Sequence, residues 1–288
     1  MDGILLIDKK KGFSSFNTVQ QIKRILKPNK IGHAGTLDPF ATGLLIVLIN
    51  QGTKLFNFIM SANKLYRATI YLGIETDTFD CTGKVIAEKE VPNLDENLIK
   101  KILNRFIGII EQTPPLFSAI KYKGTRAYKL ARKGVNFELK KRSVYIHNTE
   151  LIHWNFPELT VDITCSPGTY IRSLAVDIGK AFNTCAHLKE LRRISCGNFH
   201  VKDAIVIEDK ITEDFLQKKI ISLPDALPEF KTVYVDDAMA WRLRSGMQPQ
   251  LMDKIFGQEY IKFVKDDELV AIAKIGKKGR VKLERVFY

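Results

Sequence analysis

One run limits the folds open to this chain more than any other: Lys30-Ile-Gly-His-Ala-Gly-Thr-Leu-Asp-Pro-Phe-Ala-Thr-Gly-Leu-Leu-Ile-Val47. Core packing alone does not select this order of small, special-backbone and polar residues. Gly32, Gly35 and Gly43 permit conformations or close approaches that a Cβ would block, and Pro39 biases Asp38 toward an extended backbone. The apolar, partly β-branched run from Gly43 to Ile49 has the length of a strand buried on both faces. A carboxylate on a stiff turn is therefore expected at the mouth of a buried strand, as in an active-site loop.

The rest of the chain reads as helices and strands without a βαβ repeat, hence an α+β fold. Strands are expected at Gly3 to Ile7, Lys64 to Leu72, Val85 to Glu88, Ser143 to Trp154 and Leu159 to Cys165. The Lys64 to Leu72 alternation puts Tyr66, Ala68, Ile70 and Leu72 on one face. Ser14 or Ser15 can cap a helix with Phe16, Val19, Ile22 and Leu26 inward, ended by Pro28. Further helices are expected from Asp95 to Phe106, from Tyr170 to about Phe182, and, basic, from Ala186 to Ile194. Ser222 to Pro228 reads as a linker, which divides the chain into 1–228 and a β-rich unit at 229–288.

Charge points to the partner. Lys and Arg total 45 against 32 acids, a formal charge of +13, and a phosphate backbone rewards such an excess through counterion release. The excess clusters from Lys121 to Arg142, where nine cations face the single acid Glu138 and interleave with Tyr122, Tyr128 and Phe137. It recurs in the tail at Lys274, Lys277, Lys278, Arg280, Lys282 and Arg285. Nucleic acid is the expected partner. Apolar runs are too short to span a bilayer and no signal peptide is evident, so a cytoplasmic protein, not a membrane one, is expected.

Several chemistries are excluded. Asp38 has no second carboxylate in its loop for glycosidase-type work, there is no Walker-type Gly-Lys-Ser/Thr, and no Gly-x-Ser-x-Gly occurs. Cys81, Cys165, Cys185 and Cys196 form no CxxC and have no His at zinc spacing, so reduced thiols and no metal are expected. His33 is open to three roles: general base, phosphate contact or base stacking. Taken alone, Asp38 is an ordinary turn aspartate.

Read together, these segments resemble the bacterial tRNA pseudouridine-55 synthases, the TruB family. Gly-His-Ala-Gly-Thr-Leu-Asp38-Pro-Phe-Ala-Thr-Gly-Leu is similar to the family's catalytic motif. Asp8 to Ser15 resembles its N-terminal Lys-Pro-x-Gly-x-Ser motif, although Lys10 stands where the family has proline. Lys64-Leu-Tyr-Arg and Gly73 to Gly83 resemble its tyrosine strand and Thr-Asp-x-x-Asp loop. Pro114 to Gly134 resembles its Pro-Pro-x-x-Ser-Ala segment, and Gly168-Thr-Tyr-Ile-Arg172 with Leu191-Arg-Arg193 its third motif. The resemblance runs from about Gly3 to Val201; the tail resembles a PUA-type RNA-binding barrel.

The resemblance implies a pseudouridine synthase fold, a mixed and largely antiparallel sheet flanked by helices with a small PUA-like barrel. It implies isomerisation of uridine in the T-loop of tRNA, with no cofactor or metal, by a monomer. Asp38 matches the nucleophile, with attack at C1′ of ribose and at C6 of the base both open, and Arg172 matches its ion-pair partner. Tyr66 matches the aromatic that stacks on the target base and assists proton removal. Tyr170 and Leu191 match uracil-pocket residues, His33 a residue near the extruded nucleotide, and Lys9 and Gly12 the substrate-side N-terminal motif. Two alternatives stand beside this reading: a guide-RNA-dependent synthase, and a non-catalytic tRNA-binding or folding protein on the same scaffold.

Overall fold

The structure, a computed structural model, describes all residues except 119, 136, 209, 250–258 and 277–279, and the side chains of Lys121 and Tyr128. Lys277 and Lys278 of the basic tail therefore lie outside the described residues. A nine-stranded sheet forms the body. Its order is Gly3–Lys9, Thr42–Ile49, Ala186–Cys196, Lys64–Leu72, Glu158–Cys165, Arg142–Asn155 and Gly108–Gln112, with Ile31–Ala34 and Phe199–His200 on side branches. Within it, Thr42–Ile49 against Ala186–Cys196 is parallel and the other pairs are antiparallel.

The Thr42–Ile49 strand explains its own composition. Leu44, Ile46 and Leu48 enter one core, which includes Leu223, Leu227, Val264 and Phe287. Leu45, Val47 and Ile49 enter another, beneath Val19, Ile22 and Leu26 of the Ser15–Leu26 helix. Alternate side chains thus need apolar surroundings on both faces, which is why the run does not alternate with polar residues. Each fully buried side chain of this size contributes about 1.5–3 kcal/mol, so the strand is a rigid platform for the loop before it.

The third core lies against the Lys64–Leu72 strand, where Ala68, Ile70 and Leu72 meet Ile171, Leu174, Ala175 and Ile178 of the Ile171–Ala181 helix, with Tyr66 packed at its margin. The Ser15–Leu26 helix starts at Ser14, whose Oγ accepts from Asn17 N–H, and ends with Lys27 in the left-handed region before Pro28. Phe16 is the exception on its face: at 65% exposed it points to solvent.

Three further expectations are corrected, and one strand was not anticipated. The basic segment from Ala186 is a strand to Cys196, not a helix. A bulge between Leu188 and Glu190 changes the strand's parity, so Leu188 and Leu191 face the same core three residues apart, a spacing that imitates a helix. The helix expected from Asp95 to Phe106 spans Glu96–Leu103, because Asp95 Oδ1 caps Leu98 N–H; Ile99, Ile102 and Leu103 then face inward and Leu98 outward. Gly108–Gln112 is a strand that short, weakly alternating apolar content did not reveal. Finally, the Ser222 to Pro228 segment is packed rather than loose: Leu223, Ala226 and Leu227 are buried, and the buried Lys262 ammonium donates to Pro224 O and Leu227 O at 2.7 and 2.8 Å.

Beyond it, Lys231–Tyr234, Tyr260–Lys265, Glu268–Ile275 and Val281–Val286 form a four-stranded sheet. Val264, Leu269 and Ile272 of that sheet, and Phe287 just after it, share a core with the body. No helix among the described residues is long and apolar enough to cross a membrane.

Candidate active site

The Gly35 to Gly43 loop is held from below by groups that leave one side chain outward. Arg193, 1% exposed, donates from Nε to Leu44 O at 2.6 Å and from Nη2 to Gly35 O at 3.0 Å, tying the loop's two ends together. Gly43, at φ +98°, lies so close to the Arg193 backbone that a Cβ would sit 2.3 Å from its carbonyl oxygen. Ser15 Oγ donates to Leu37 O and accepts from Leu37 N–H. Leu37, Phe40 and Ala41 are buried apolar anchors. Asp38, between them, keeps a third of its side chain accessible.

Lys9 and Gly12 complete the support. Gly12, at φ +88°, donates its N–H to Pro39 O at 2.8 Å. Lys9 is 1% exposed, and its ammonium donates to Lys10 O, Phe13 O and Pro39 O. Burial lowers its pKa to about 8, against the attraction of Asp38. Expected on the substrate side, Lys9 is instead sealed under the loop. Its three carbonyl partners stiffen the backbone on either side of Lys10, which stands where proline was expected.

Arg172, 5% exposed in the first turn of its helix, grips Asp38 with both edges of a fork: Nε to Oδ2 at 3.0 Å and Nη2 to Oδ1 at 3.2 Å. It also donates to Thr78 O at 3.2 Å and Phe117 O at 3.0 Å, and Nη1 lies 3.4 Å from Asp80 Oδ2. Asp80 is buried and accepts from Thr78 Oγ1, Thr82 N–H and Thr82 Oγ1. Burial pushes the Asp38 pKa up from its ordinary 3.8; Arg172 opposes this, Asp80 adds to it and Lys9 opposes it. A partly open carboxylate, Asp38, and a buried one, Asp80, thus share one guanidinium.

Sequence reasoning gave Asp80 and Ser15 no part in the site. Asp80 fell in the Thr-Asp-x-x-Asp loop of the resemblance without a role of its own, and its Thr-x-Asp-x-Thr pattern was the further signal, because it supplies hydroxyl donors on both sides of a carboxylate. Ser15 was read only as an alternative helix cap.

Tyr66 and Leu191 share a core cluster with Leu37, Phe40 and Ile171, the residues next to or near Asp38 and Arg172 in the chain. Tyr66 is paired in register with Arg193, and burial raises its phenol above the usual 10. It is a neutral phenol near pH 7. Tyr170 precedes the helix, half-buried, with the Arg142 guanidinium 5.5 Å from its ring. His33 lines a different cleft of about 440 Å³ with Lys30, Lys54 and Arg285. Its buried Nδ1 has no partner among the described residues, and burial followed by Arg193 lowers its pKa, favouring the neutral ring.

The basic regions divide. Arg192 and Lys189 are engaged by Asp8 and Glu158, and Arg193 is buried. Lys123, Arg126, Lys129, Lys133, Lys140 and Lys141 are exposed. Of the aromatics read as interleaved with them, Tyr122 and Phe137 have ring centroids 5.1 Å apart and Phe137 is buried, while the Tyr128 side chain lies outside the described residues.

A mixed sheet with helices, a lone reachable aspartate under a buried arginine and an exposed basic arm define a class, the pseudouridylate synthases. Residues 23–171 match the model of the TruB family pseudouridylate synthase N-terminal domain, and residues 172–222 that of the tRNA pseudouridylate synthase B C-terminal domain. The tRNA pseudouridine synthase B of Clostridium tetani is 38% identical over 282 residues, 97% of each chain. That of Aquifex aeolicus is 38% identical over 278 residues, 96% of each. A chain from a crystal structure of a Cbf5–Nop10–Gar1 complex superposes with a TM-score of 0.75 at 26% identity, covering 99% of this chain and 85% of that one. The chain belongs to the TruB family of pseudouridylate synthases.

Proposed function

We propose that this chain isomerises uridine to pseudouridine at position 55, in the T-loop of tRNA. The observation that carries the reading is the fork of Arg172 on Asp38, 3.0 and 3.2 Å, with the guanidinium buried and the carboxylate reachable. The N1–C1′ bond must break, the uracil must turn, a C5–C1′ bond must form and the C5 proton must leave. A nucleophile that remains a carboxylate, fixed in direction, suits such a sequence. Asp38 attacks at C1′ or C6. Tyr66, a neutral phenol, stacks on the base and relays the proton rather than acting as a phenolate. Leu191 and Tyr170 bound the uracil, and flipping the nucleotide out costs a few kcal/mol, offset by stacking and pocket contacts.

Lys30, Lys54 and Arg285, in the cleft that the neutral His33 also lines, supply cations for RNA phosphates, with the exposed basic arm as a second contact. Residues 1–228 act as the catalytic unit and 229–288 as an RNA-binding unit, in a cytoplasmic monomer. Curated relatives named tRNA pseudouridine synthase B, alike over nearly the whole of both chains, favour a stand-alone enzyme over a guide-dependent one. A binding-only protein has no need of the Asp38–Arg172 fork. The test supplies unmodified T-arm RNA, without guide or accessory protein, to the wild type and to Asp38→Asn. Pseudouridine forms only with the wild type; equal formation by both overturns the reading.

A further inference from the structure

Gln112 does something its place in the sheet does not require. It is the last residue of the edge strand, fully buried at 0% exposure, and its amide is used at both ends. Tyr170 N–H donates to Gln112 Oε1 at 3.0 Å, and Gln112 Nε2 donates to Tyr170 O at 3.2 Å. Tyr170 is the residue at the N-terminal boundary of the Ile171–Ala181 helix, and that boundary carries no side-chain cap of its own. A side chain distant in sequence therefore partners the Tyr170 N–H, as the Glu or Gln of a capping box would, and shares the Tyr170 carbonyl with the first helical bond from Leu174 N–H.

The contact continues along both segments. Thr113 O accepts from Ser173 Oγ at 2.8 Å, and Phe117 O accepts from Arg172 Nη2 at 3.0 Å. Arg142, the cross-strand partner of Gln112, places its guanidinium over the Tyr170 ring. Residues 112–117 thus fasten to 170–173 at three points, of which Gln112 holds the Tyr170 backbone, two residues before Arg172. An apolar residue of equal size would fill the space but leave a buried N–H without its partner.

We propose that Gln112 is a positioning residue for the isomerisation: it fixes the Tyr170 backbone and so sets both the Tyr170 wall of the uracil pocket and the approach of Arg172 to Asp38. This rests on the proposed synthase activity. Gln112 touches neither substrate nor Asp38 and acts through Tyr170 and Arg172. Misplacement of a catalytic group by about 1 Å costs on the order of 100-fold in rate, which sets the scale.

The test compares wild type, Gln112→Met and Gln112→Glu in single-turnover isomerisation of T-arm RNA, measured alongside RNA affinity and thermal unfolding. Gln112→Met loses about 10- to 100-fold in the single-turnover rate, with RNA Kd changed less than about threefold and cooperative unfolding retained. Gln112→Glu is isosteric. Its carboxylate accepts from Tyr170 N–H but cannot donate to Tyr170 O, whereas its protonated form can do both. Its rate relative to wild type therefore recovers as pH falls, a change that altered packing alone would not give. A wild-type rate for Gln112→Met, a loss confined to Kd, or a Gln112→Glu to wild-type ratio flat with pH overturns the proposal. Should Gln112→Met fail to fold, the pH dependence of Gln112→Glu decides alone. Absence of pseudouridine with the wild type itself would instead refute the synthase reading, so the two failures are distinguishable.

Discussion

Replacing Arg172 with lysine keeps the charge and removes the fork. Arg172 makes five contacts: two to Asp38, and one each to Asp80, Thr78 O and Phe117 O. An ammonium has three N–H donors on a single centre, so at least two of these are lost. Each buried acceptor left bare costs about 1–3 kcal/mol. Water reaches Asp38 but not Asp80, so the expected loss of stability is roughly 2–5 kcal/mol. The second consequence concerns protonation. A neighbouring arginine lowers a carboxyl pKa by about 1–3 pH units, and here it opposes a burial effect of the other sign. With the charge retained but the fork gone, the acid limb of the rate profile should move up by about one pH unit, and for Arg172→Met by up to about three. Tritium release from C5 of labelled T-arm RNA, in single turnover across pH 4.5 to 8.5, reads the limb directly. A loss of rate equal at every pH, or a limb displaced downward, would refute the claim that Arg172 keeps Asp38 ionised.

Asp80→Asn should move the same limb down, since Asp80 raises the Asp38 pKa, while the plateau rate falls about tenfold as Arg172 loses an anchor; an upward displacement contradicts this. For Lys9, burial lowers the pKa from 10.5 to about 8, so the unfolded chain binds the extra proton between those values and stability rises with pH across that window. At about 1.36 kcal/mol per pH unit, the stability of wild type relative to Lys9→Met should grow by at most about 3 kcal/mol between pH 8 and 10.5, read by urea unfolding; a flat difference refutes the buried charge. The double variant Lys30→Ala with Arg285→Ala should weaken RNA binding and reduce the salt slope of log K by up to about two, whereas an unchanged slope removes these cations from the interface.

The loop and its strand were legible because they break ordinary rules in a consistent direction. Glycines with positive φ at Gly35 and Gly43, a proline after the aspartate and an unbroken apolar run have few joint explanations. The alternation from Lys64 to Leu72 likewise placed Tyr66 on the correct face. Reading failed where tertiary contact, not local pattern, decides. The bulge at Leu188 to Glu190 converted strand periodicity into an apparent helix. Arg193 was legible only as one of a basic segment and of a motif, yet its donors end on loop carbonyls, and no sequence spacing announces a carbonyl partner 149 residues away. Asp80 and Gln112 share that blindness, since each works through a guanidinium or a backbone group supplied by another segment.

Three buried cations, Lys9, Arg172 and Arg193, lie around or beneath one partly open carboxylate, and the balance among them bears on stability as well as chemistry. The Asp38 pKa is raised above 3.8 in the folded chain, so folding favours its protonated form. Its contribution is full below about pH 4 and is lost as pH rises through the folded value. At neutral pH the ionised carboxylate therefore costs stability, despite the fork that holds it. Asparagine at 38 resembles the neutral acid in shape and charge. Asp38→Asn should then be more stable than wild type at pH 7, the gain vanishing near pH 3.5, while isomerisation is abolished. Thermal unfolding at the two pH values tests this. If wild type is the more stable at pH 7, attraction from Arg172 and Lys9 outweighs burial, and the carboxylate is a stabilising ion pair. If the variant gains as expected, the fold holds Asp38 ionised against a preference for the proton, a trade of stability for reactivity in the residue that the loop exposes.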